Sequence, residues 1–115
     1  MSNIARVILE GHLTRDPESK QTKGNHALTI FAVAVNGQWQ KADGNEFVSY
    51  FNIETWNKTA ENCAKYLKKG SHVLVEGYLR QERWTDQEGK NRERVKVVAS
   101  NVRFLSRAGQ DRQAA

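Results

Sequence analysis

The chain has 115 residues, with 18 Lys and Arg against 13 Asp and Glu, a formal net charge of +5 and a sequence pI of about 9.6. One domain of this size buries roughly two-thirds of its unfolded surface, and its positive charge favours anionic partners. The single cysteine excludes an internal disulfide, and the three histidines lack the spacing of metal ligands, so we expect neither a metal nor another cofactor.

Apolar segments are short throughout the sequence. No run approaches the roughly 20 residues that span a bilayer, and the first residues lack the basic and apolar regions of a signal peptide. We therefore expect a soluble intracellular protein without a membrane partner.

Five segments have the alternating or β-branched pattern of strands, and one segment has the spacing of a helix. The predicted strands cover about residues 4–13, 26–35, 47–56, 72–84 and 92–105. Residues 59–67 are predicted as a helix, because Ala60, Cys63 and Leu67 recur at spacings of three and four. Cys63 is therefore predicted as a small core residue and not as a reactive thiol.

Glycine and polar residues mark the interruptions between these elements. Gly11 and Gly77 lie inside predicted strands, where a bend or curvature is expected. Residues 18–25 are polar and are predicted as a loop. Residues 106–115 have no periodicity and are predicted as a flexible tail, which leaves residues 1–105 as the folded domain.

Large aromatic residues occur where apolar neighbours are scarce. Trp39 lies in a polar segment with turn-forming pairs, and Trp84 lies among arginines before a polar loop. Tyr50 and Trp56 share one parity of the third strand with polar residues, so a place in the core or at a subunit interface stays open for both. Exposed rings among cations suggest a surface that binds nucleic acid, whose bases are flat and whose phosphates are anionic.

Basic residues follow the same path and are candidates for phosphate contacts. They are Arg6, Arg15, Lys58, Arg80, Arg83, Arg92, Arg94 and Lys96. The alternative for each is a solvated surface charge, and we expect about half of them to be real contacts.

The predicted element order is β, β, β, α, β, β, with the helix between the third and fourth strands. This all-β order is that of the OB-fold, a five-stranded Greek-key barrel that binds oligonucleotides on its second and third strands and nearby loops. Trp39, Tyr50, Trp56 and Trp84 fall where that face is expected.

Several short motifs occur in a specific order along the chain. They are Val7-Ile-Leu-Glu-Gly-His-Leu-Thr-Arg-Asp-Pro17, Ala32-Val-Ala-Val35, Lys58-Thr-Ala-Glu61 after the third strand, Tyr66-Leu-Lys-Lys-Gly-Ser71, Val75-Glu-Gly-Tyr-Leu-Arg80, and Trp84-Thr-Asp86 with Gly89. In this order the chain resembles the bacterial-type single-stranded DNA-binding proteins, a family that includes mitochondrial homologues. The resemblance covers about residues 4–105.

The resemblance implies sequence-independent binding and protection of single-stranded DNA during replication, recombination and repair. It implies that bases stack on Trp39, Tyr50, Trp56 and Trp84, and that lysines and arginines meet the phosphates. It also implies a homotetramer built as a dimer of dimers, in the bacterial cytoplasm and associated with the nucleoid. Which of Tyr50 and Phe51 faces the DNA stays open at this point.

The C-terminal residues differ from the pattern that the resemblance implies. Bacterial members usually continue through a linker rich in Gly, Pro and Gln to an acidic tip that recruits replication and repair proteins, whereas this sequence stops at Ala115. Those partners are expected from the family, but the tip that would recruit them is absent here. A shortened chain and a natural short form are both compatible with the sequence.

Three other functions compete with DNA protection. A primosomal or other replication accessory protein of the same fold would act mainly through protein docking, with weaker stacking and a dimeric assembly. An interaction-only module would keep its DNA affinity when Trp39 and Trp84 are replaced. An enzyme is disfavoured, because the sequence has no phosphate-binding glycine loop and no nucleophile with its base, while Glu54 and Glu76 are single acids on strands.

Overall fold

The computed structural model describes residues 3–40 and 42–105, and their side chains except those of 38–40 and 46. Within these ranges the elements are β1 (Arg6–Leu13), β2 (Glu18–Gln21), β3 (Ala27–Gln40), β4 (Glu46–Trp56), α1 (Asn57–Tyr66), β5 (His72–Thr85) and β6 (Asn91–Phe104). The strand-rich composition and the helix before β5 agree with the predicted element order.

Five of the described strands close into a barrel. Pairing runs β1-β5-β6-β4-β3, and β1 also pairs with β3 through His12 opposite Ala34 and Leu13 opposite Val33, which completes the ring. The pair β4–β6 is parallel and the other pairs are antiparallel. This arrangement confirms the predicted OB-fold.

Alternation along the strands places the apolar side chains inside the barrel. The largest fully buried side chains include Phe31, Val33, Ile53, Val73, Val75 and Val97. Helix α1 adds Ala60 and Cys63 to the buried set, and two buried hydroxyls join it to the barrel: Thr29 Oγ1 donates to Ala60 O at 2.8 Å and Thr55 Oγ1 donates to Thr29 O at 2.7 Å. These two buried hydroxyl groups therefore have hydrogen-bond partners within the protein.

Cys63 is a fully buried member of the core cluster, which confirms its predicted structural role. Burial raises the pKa of its thiol to about 11, although a hydrogen bond with Thr55 acts in the opposite direction. The thiol is therefore protonated at neutral pH and is a poor nucleophile.

Two glycines lie where strands approach closely. A Cβ atom at Gly11 would lie 2.1 Å from Ala34 O, and one at Gly77 would lie 2.2 Å from Val98 O. Gly77 also adjoins the irregularity in the β5–β6 register at Glu76. The irregularity at Gly77 agrees with the predicted curvature, whereas the β1–β5 register is continuous through Gly11, where the glycine instead permits the close approach of β3.

The predicted loop at residues 18–25 is partly wrong. Residues Glu18–Gln21 form β2, which pairs with β3 from Ile30 back to Ala27. All four β2 side chains are exposed, so no apolar alternation marks this strand, and backbone hydrogen bonds alone define it. Likewise β3 extends to Gln40, which places the Trp39 backbone in a strand instead of a turn.

Three further predictions concern the C-terminal tail, membrane spans and metal ligands. The predicted tail, residues 106–115, lies outside them. Among the residues that the structure describes, no helix is long and apolar enough to cross a membrane, and no group of three or more potential metal ligands is found.

Candidate nucleic-acid interface

Register between β3 and β4 determines which side chains of β4 face outward. Phe51 lies opposite Val33, whose side chain is fully buried, whereas Tyr50 lies opposite Ala34 on the other parity. Side chains of one strand alternate between the two faces of a sheet, so Tyr50 projects from the outer face and Phe51 belongs to the core parity. Tyr50 is 68% exposed and is therefore available to a ligand.

Trp56 lies at the end of β4 on the same parity as Tyr50 and is half-buried. Its indole Nε1 donates a hydrogen bond of 2.6 Å to Glu54 Oε2. Trp56 also adopts the extended backbone conformation that begins α1, so the ring is positioned where the strand meets the helix.

Trp84 projects from the hairpin that β5 and β6 form, directly opposite Arg92. The ring is 44% exposed, and the guanidinium carbon of Arg94 lies 5.3 Å from its centroid. A cation at this distance is attracted to the electron-rich face of an indole.

Asp86 organises the loop that follows Trp84. Its Oδ1 accepts from the backbone nitrogens of Glu88 and Lys90 at 2.9 Å, and its Oδ2 accepts from Arg92 Nε at 2.8 Å. The hydrogen bond from Arg92, followed by that from Lys90, holds the pKa of Asp86 below its usual value. The loop thus keeps one carboxylate ionised beside the predicted stacking ring.

An ion-pair network connects the outer faces of β4, β5 and β6. Lys96 Nζ lies 2.5 Å from Glu54 Oε1 and 2.7 Å from Glu82 Oε2, while Arg94 Nη2 lies 2.9 Å from Glu82 Oε1. Arg80 Nη1 lies farther, at 3.8 Å from Glu54 Oε2. We call Glu54, Glu82, Arg94 and Lys96 the carboxylate network.

The charges in this network stabilise one another. Hydrogen bonds from Lys96 and then Arg94 hold the pKa of Glu82 below its usual value. Burial acts to lower the pKa of Lys96, but its hydrogen bonds to Glu54 and Glu82 outweigh that effect and raise it. Glu82 and Lys96 are therefore both ionised at neutral pH.

An open groove of about 500 Å³ runs beside this network on the outer surface. Its lining residues are Arg15, Leu28, Ile30, Asn52, Ile53, Glu54, Glu82, Arg94 and Lys96. The groove therefore brings together three of the predicted phosphate contacts. A second hollow on the hairpin adds Arg83, Trp84 and Arg92.

Two of the remaining predicted phosphate contacts, Arg6 and Lys58, do not line the groove. Arg6 is exposed at the start of β1, and Lys58 is exposed in the first turn of α1. Neither lines the two hollows. The Trp39 backbone lies in β3, and its side chain is outside the described part of the chain.

Alternation along the third strand placed Glu54 on the face of Tyr50 and Trp56, but neither Glu54 nor Glu82 was predicted as a site residue. Glu54 was interpreted as a single acid with a surface or cross-strand partner, and its pairing with Lys96 confirms the cross-strand alternative. Glu82 carried a recognisable signal, because it lies opposite Arg94 across a hairpin whose loop is visible in the sequence.

Residues 4–105 match the model of the Single-strand binding protein family. The chain belongs to this family. A single-stranded DNA-binding protein of Treponema pallidum is 43% identical over 106 residues, which cover 91% of this chain and 60% of that protein. One of Oceanobacillus iheyensis is 40% identical over 112 residues, covering 94% and 70%, and one of Wolinella succinogenes is 39% identical over 106 residues, covering 90% and 65%. The chain thus spans 60% to 70% of the length of these family members.

Proposed function

We propose that this chain binds single-stranded DNA without sequence preference and protects it during replication, recombination and repair. The observation that carries the proposal is the exposure of Tyr50 and Trp84 on β4 and β5, the strands that contribute Asn52, Glu54 and Glu82 to a groove also lined by Arg15, Arg94 and Lys96. Family membership supports the same ligand, because the three relatives are named single-stranded DNA-binding proteins. The chain acts by binding and not by catalysis.

Stacking supplies the first part of the affinity. We assign it to Trp39, Tyr50, Trp56 and Trp84. Each stacked base contributes about 1–3 kcal/mol, and every base has a flat face, so the contribution does not depend on sequence. Tyr50 offers its ring on β4, and Trp84 offers the face of its ring that Arg94 does not cover.

Phosphate neutralisation supplies the second part. We assign it to the exposed cations Arg6, Arg15, Lys58, Arg80, Arg83, Arg92 and Arg94. Each neutralised phosphate of a single strand releases counterions and adds about 0.7 to the slope of log affinity against log salt. Arg92 and Arg94 are already paired with Asp86 and Glu82, so the slope should be smaller than the number of cations suggests.

Titration with oligo-dT tests this function. We expect tryptophan fluorescence to be quenched on binding, because bases stack on indole rings, and the affinity to fall as salt is raised. Duplex DNA of the same length is the control, and it should bind far more weakly because its bases are already stacked on each other. An absence of quenching at low salt, with no binding by a labelled oligonucleotide, would remove the proposal.

We also propose a homotetramer, arranged as a dimer of dimers. Exposed apolar side chains on β1 and β5 support association. Ile8 is 69% exposed and lies opposite Glu76, and Tyr78, two residues further along β5, is also exposed. Static light scattering should give four times the chain mass of 13.1 kDa. A single 13.1 kDa species at micromolar concentration would contradict the assembly.

The relatives support a proposal for the cellular setting of this activity. They come from bacteria, which supports a cytoplasmic protein associated with the nucleoid. Replication and repair proteins are the partners that such a role requires.

A further inference from the structure

Glu54 is a buried carboxylate on the outward-facing side of β4. It is 6% exposed, whereas Tyr50 on the same face is 68% exposed. Three donor groups converge on it: Lys96 Nζ at 2.5 Å from Oε1, Trp56 Nε1 at 2.6 Å from Oε2, and Arg80 Nη1 at 3.8 Å from Oε2. A carboxylate is rarely buried without such partners, so these three donors account for the burial of Glu54.

Lys96 is enclosed by the same network. Its side chain is 14% exposed, and its ammonium group is bonded to both Glu54 and Glu82. A phosphate that took this ammonium group would leave Glu54 buried without its principal counter-ion, which is costly. Arg80 differs, because its side chain is 54% exposed and its guanidinium makes only a distant contact with Glu54.

Trp56 has one polar atom, the indole N–H, and Glu54 accepts its hydrogen bond. Glu54 precedes Trp56 by two residues on the same strand face, so this bond fixes the ring relative to the sheet. A ring that is ordered before DNA arrives loses little conformational freedom on binding.

We propose that Glu54 and Lys96 form a positioning pair, in which Lys96 neutralises Glu54 and Glu54 holds the Trp56 indole for base stacking. This inference rests on the proposed function, because it assigns roles within the same binding surface. In this arrangement Lys96 contacts Glu54 and not phosphate. Glu54 favours DNA binding even though it is an acid on a surface that binds an anionic ligand.

A double-mutant cycle between Glu54 and Trp56 tests the pair. E54L should weaken oligo-dT binding about tenfold, because an unheld ring must be ordered by the DNA. In a W56F background, which keeps a flat ring but has no N–H, E54L should change the affinity by less than about twofold. Equal effects of E54L in both backgrounds would overturn the positioning role.

If E54L folds poorly, the isosteric variant E54Q takes its place in the double-mutant cycle. The amide oxygen still accepts from the Trp56 N–H, but the charge that Lys96 neutralises is lost. We expect a loss of affinity smaller than that of E54L, again confined to the background that retains Trp56. A loss of the same size in W56F would contradict the proposal.

Salt dependence distinguishes the roles of Lys96 and Arg80. R80Q should reduce the slope of log affinity against log salt by about 0.7, as expected when one phosphate contact is removed. K96Q should leave the slope within about 0.2 of wild type, because Lys96 neutralises an internal carboxylate. A reduction by about 0.7 in K96Q would assign Lys96 to phosphate and overturn the pairing.

A measurement on the free protein separates this inference from the proposed function. The 15N order parameter of the Trp56 indole N–H measures how rigid the ring is. It should be about 0.85 in wild type, as for a rigid backbone, and below about 0.6 in E54L. An indole equally rigid in both would overturn the positioning role. If wild type failed to bind oligo-dT, the proposed function would fall, while the order parameter would still decide whether Glu54 holds Trp56.

Discussion

Replacing Tyr50 and Trp84 together by alanine is expected to weaken oligo-dT binding by at least about 30-fold. Stacking of a base on an aromatic ring contributes about 1–3 kcal/mol, and each factor of ten in affinity corresponds to 1.4 kcal/mol. Both rings are exposed, so their removal creates no cavity in the core and should leave the free energy of unfolding nearly unchanged. Anisotropy of a labelled oligonucleotide measures the affinity without relying on the tryptophan that is removed.

Tyr66→Ala is the matched control for this double variant. Tyr66 is also an exposed ring, but it lies at the end of α1, where it contacts Phe104 at a centroid distance of 6.1 Å. Its replacement should change the DNA affinity by less than about twofold. The comparison therefore separates a loss of exposed aromatic area in general from a loss at the proposed interface.

The salt dependence of the double variant gives a second criterion. No cation is removed, so the slope of log affinity against log salt should equal that of wild type even though the affinity falls. An undiminished affinity would assign Tyr50 and Trp84 to packing between subunits. A reduced slope would mean that the rings act by orienting nearby cations such as Arg94, which lies over the Trp84 ring.

The barrel strands were predictable because burial imposes a period of two on their side chains. This alternation marks β5 through Val73 and Val75. Along β3, Ala32 is buried together with Phe31 and Val33, so that strand was recognisable from its β-branched and small residues and not from alternation. The short strand β2 has no such signal, since all its side chains are exposed. The end of β3 was predicted as a turn because Asn36-Gly37 is turn-forming, but the structure accommodates a bulge there and pairing resumes with Gln40 opposite Glu46.

The sequence predicted which side chains of the candidate site share a strand face, but not which of them contact each other. Alternation along β4 places Tyr50, Glu54 and Trp56 on one side, and the register confirms this grouping. The contact between Glu54 and Lys96 joins residues 42 positions apart through the parallel pair β4–β6, where Glu54 lies opposite Val98. Local periodicity carries no information about the register of strands that are distant in the chain.

The second prediction concerns the closure of the barrel. Gly11→Ala is expected to lower the free energy of unfolding by about 3 kcal/mol or more. At Gly11, β1 still pairs with Val73 of β5, and at the next residue, His12, it also pairs with Ala34 of β3. A Cβ atom would lie 2.1 Å from Ala34 O and 2.8 Å from Val33 Cγ1, so the backbone of β1 or β3 must shift. Urea denaturation measures the loss.

Gly24→Ala is the control, because it makes the same chemical change in an exposed turn. The nearest atom to its Cβ would be His26 Cδ2 at 2.9 Å, on an exposed ring that can rotate away, so the cost should stay below about 1 kcal/mol. Gly77→Ala should resemble Gly11→Ala, since Val98 O would lie 2.2 Å from the added carbon. If Gly11→Ala were as mild as Gly24→Ala, β1 could not pass so closely against Ala34, and the β1–β3 pairing that closes the barrel would be wrong.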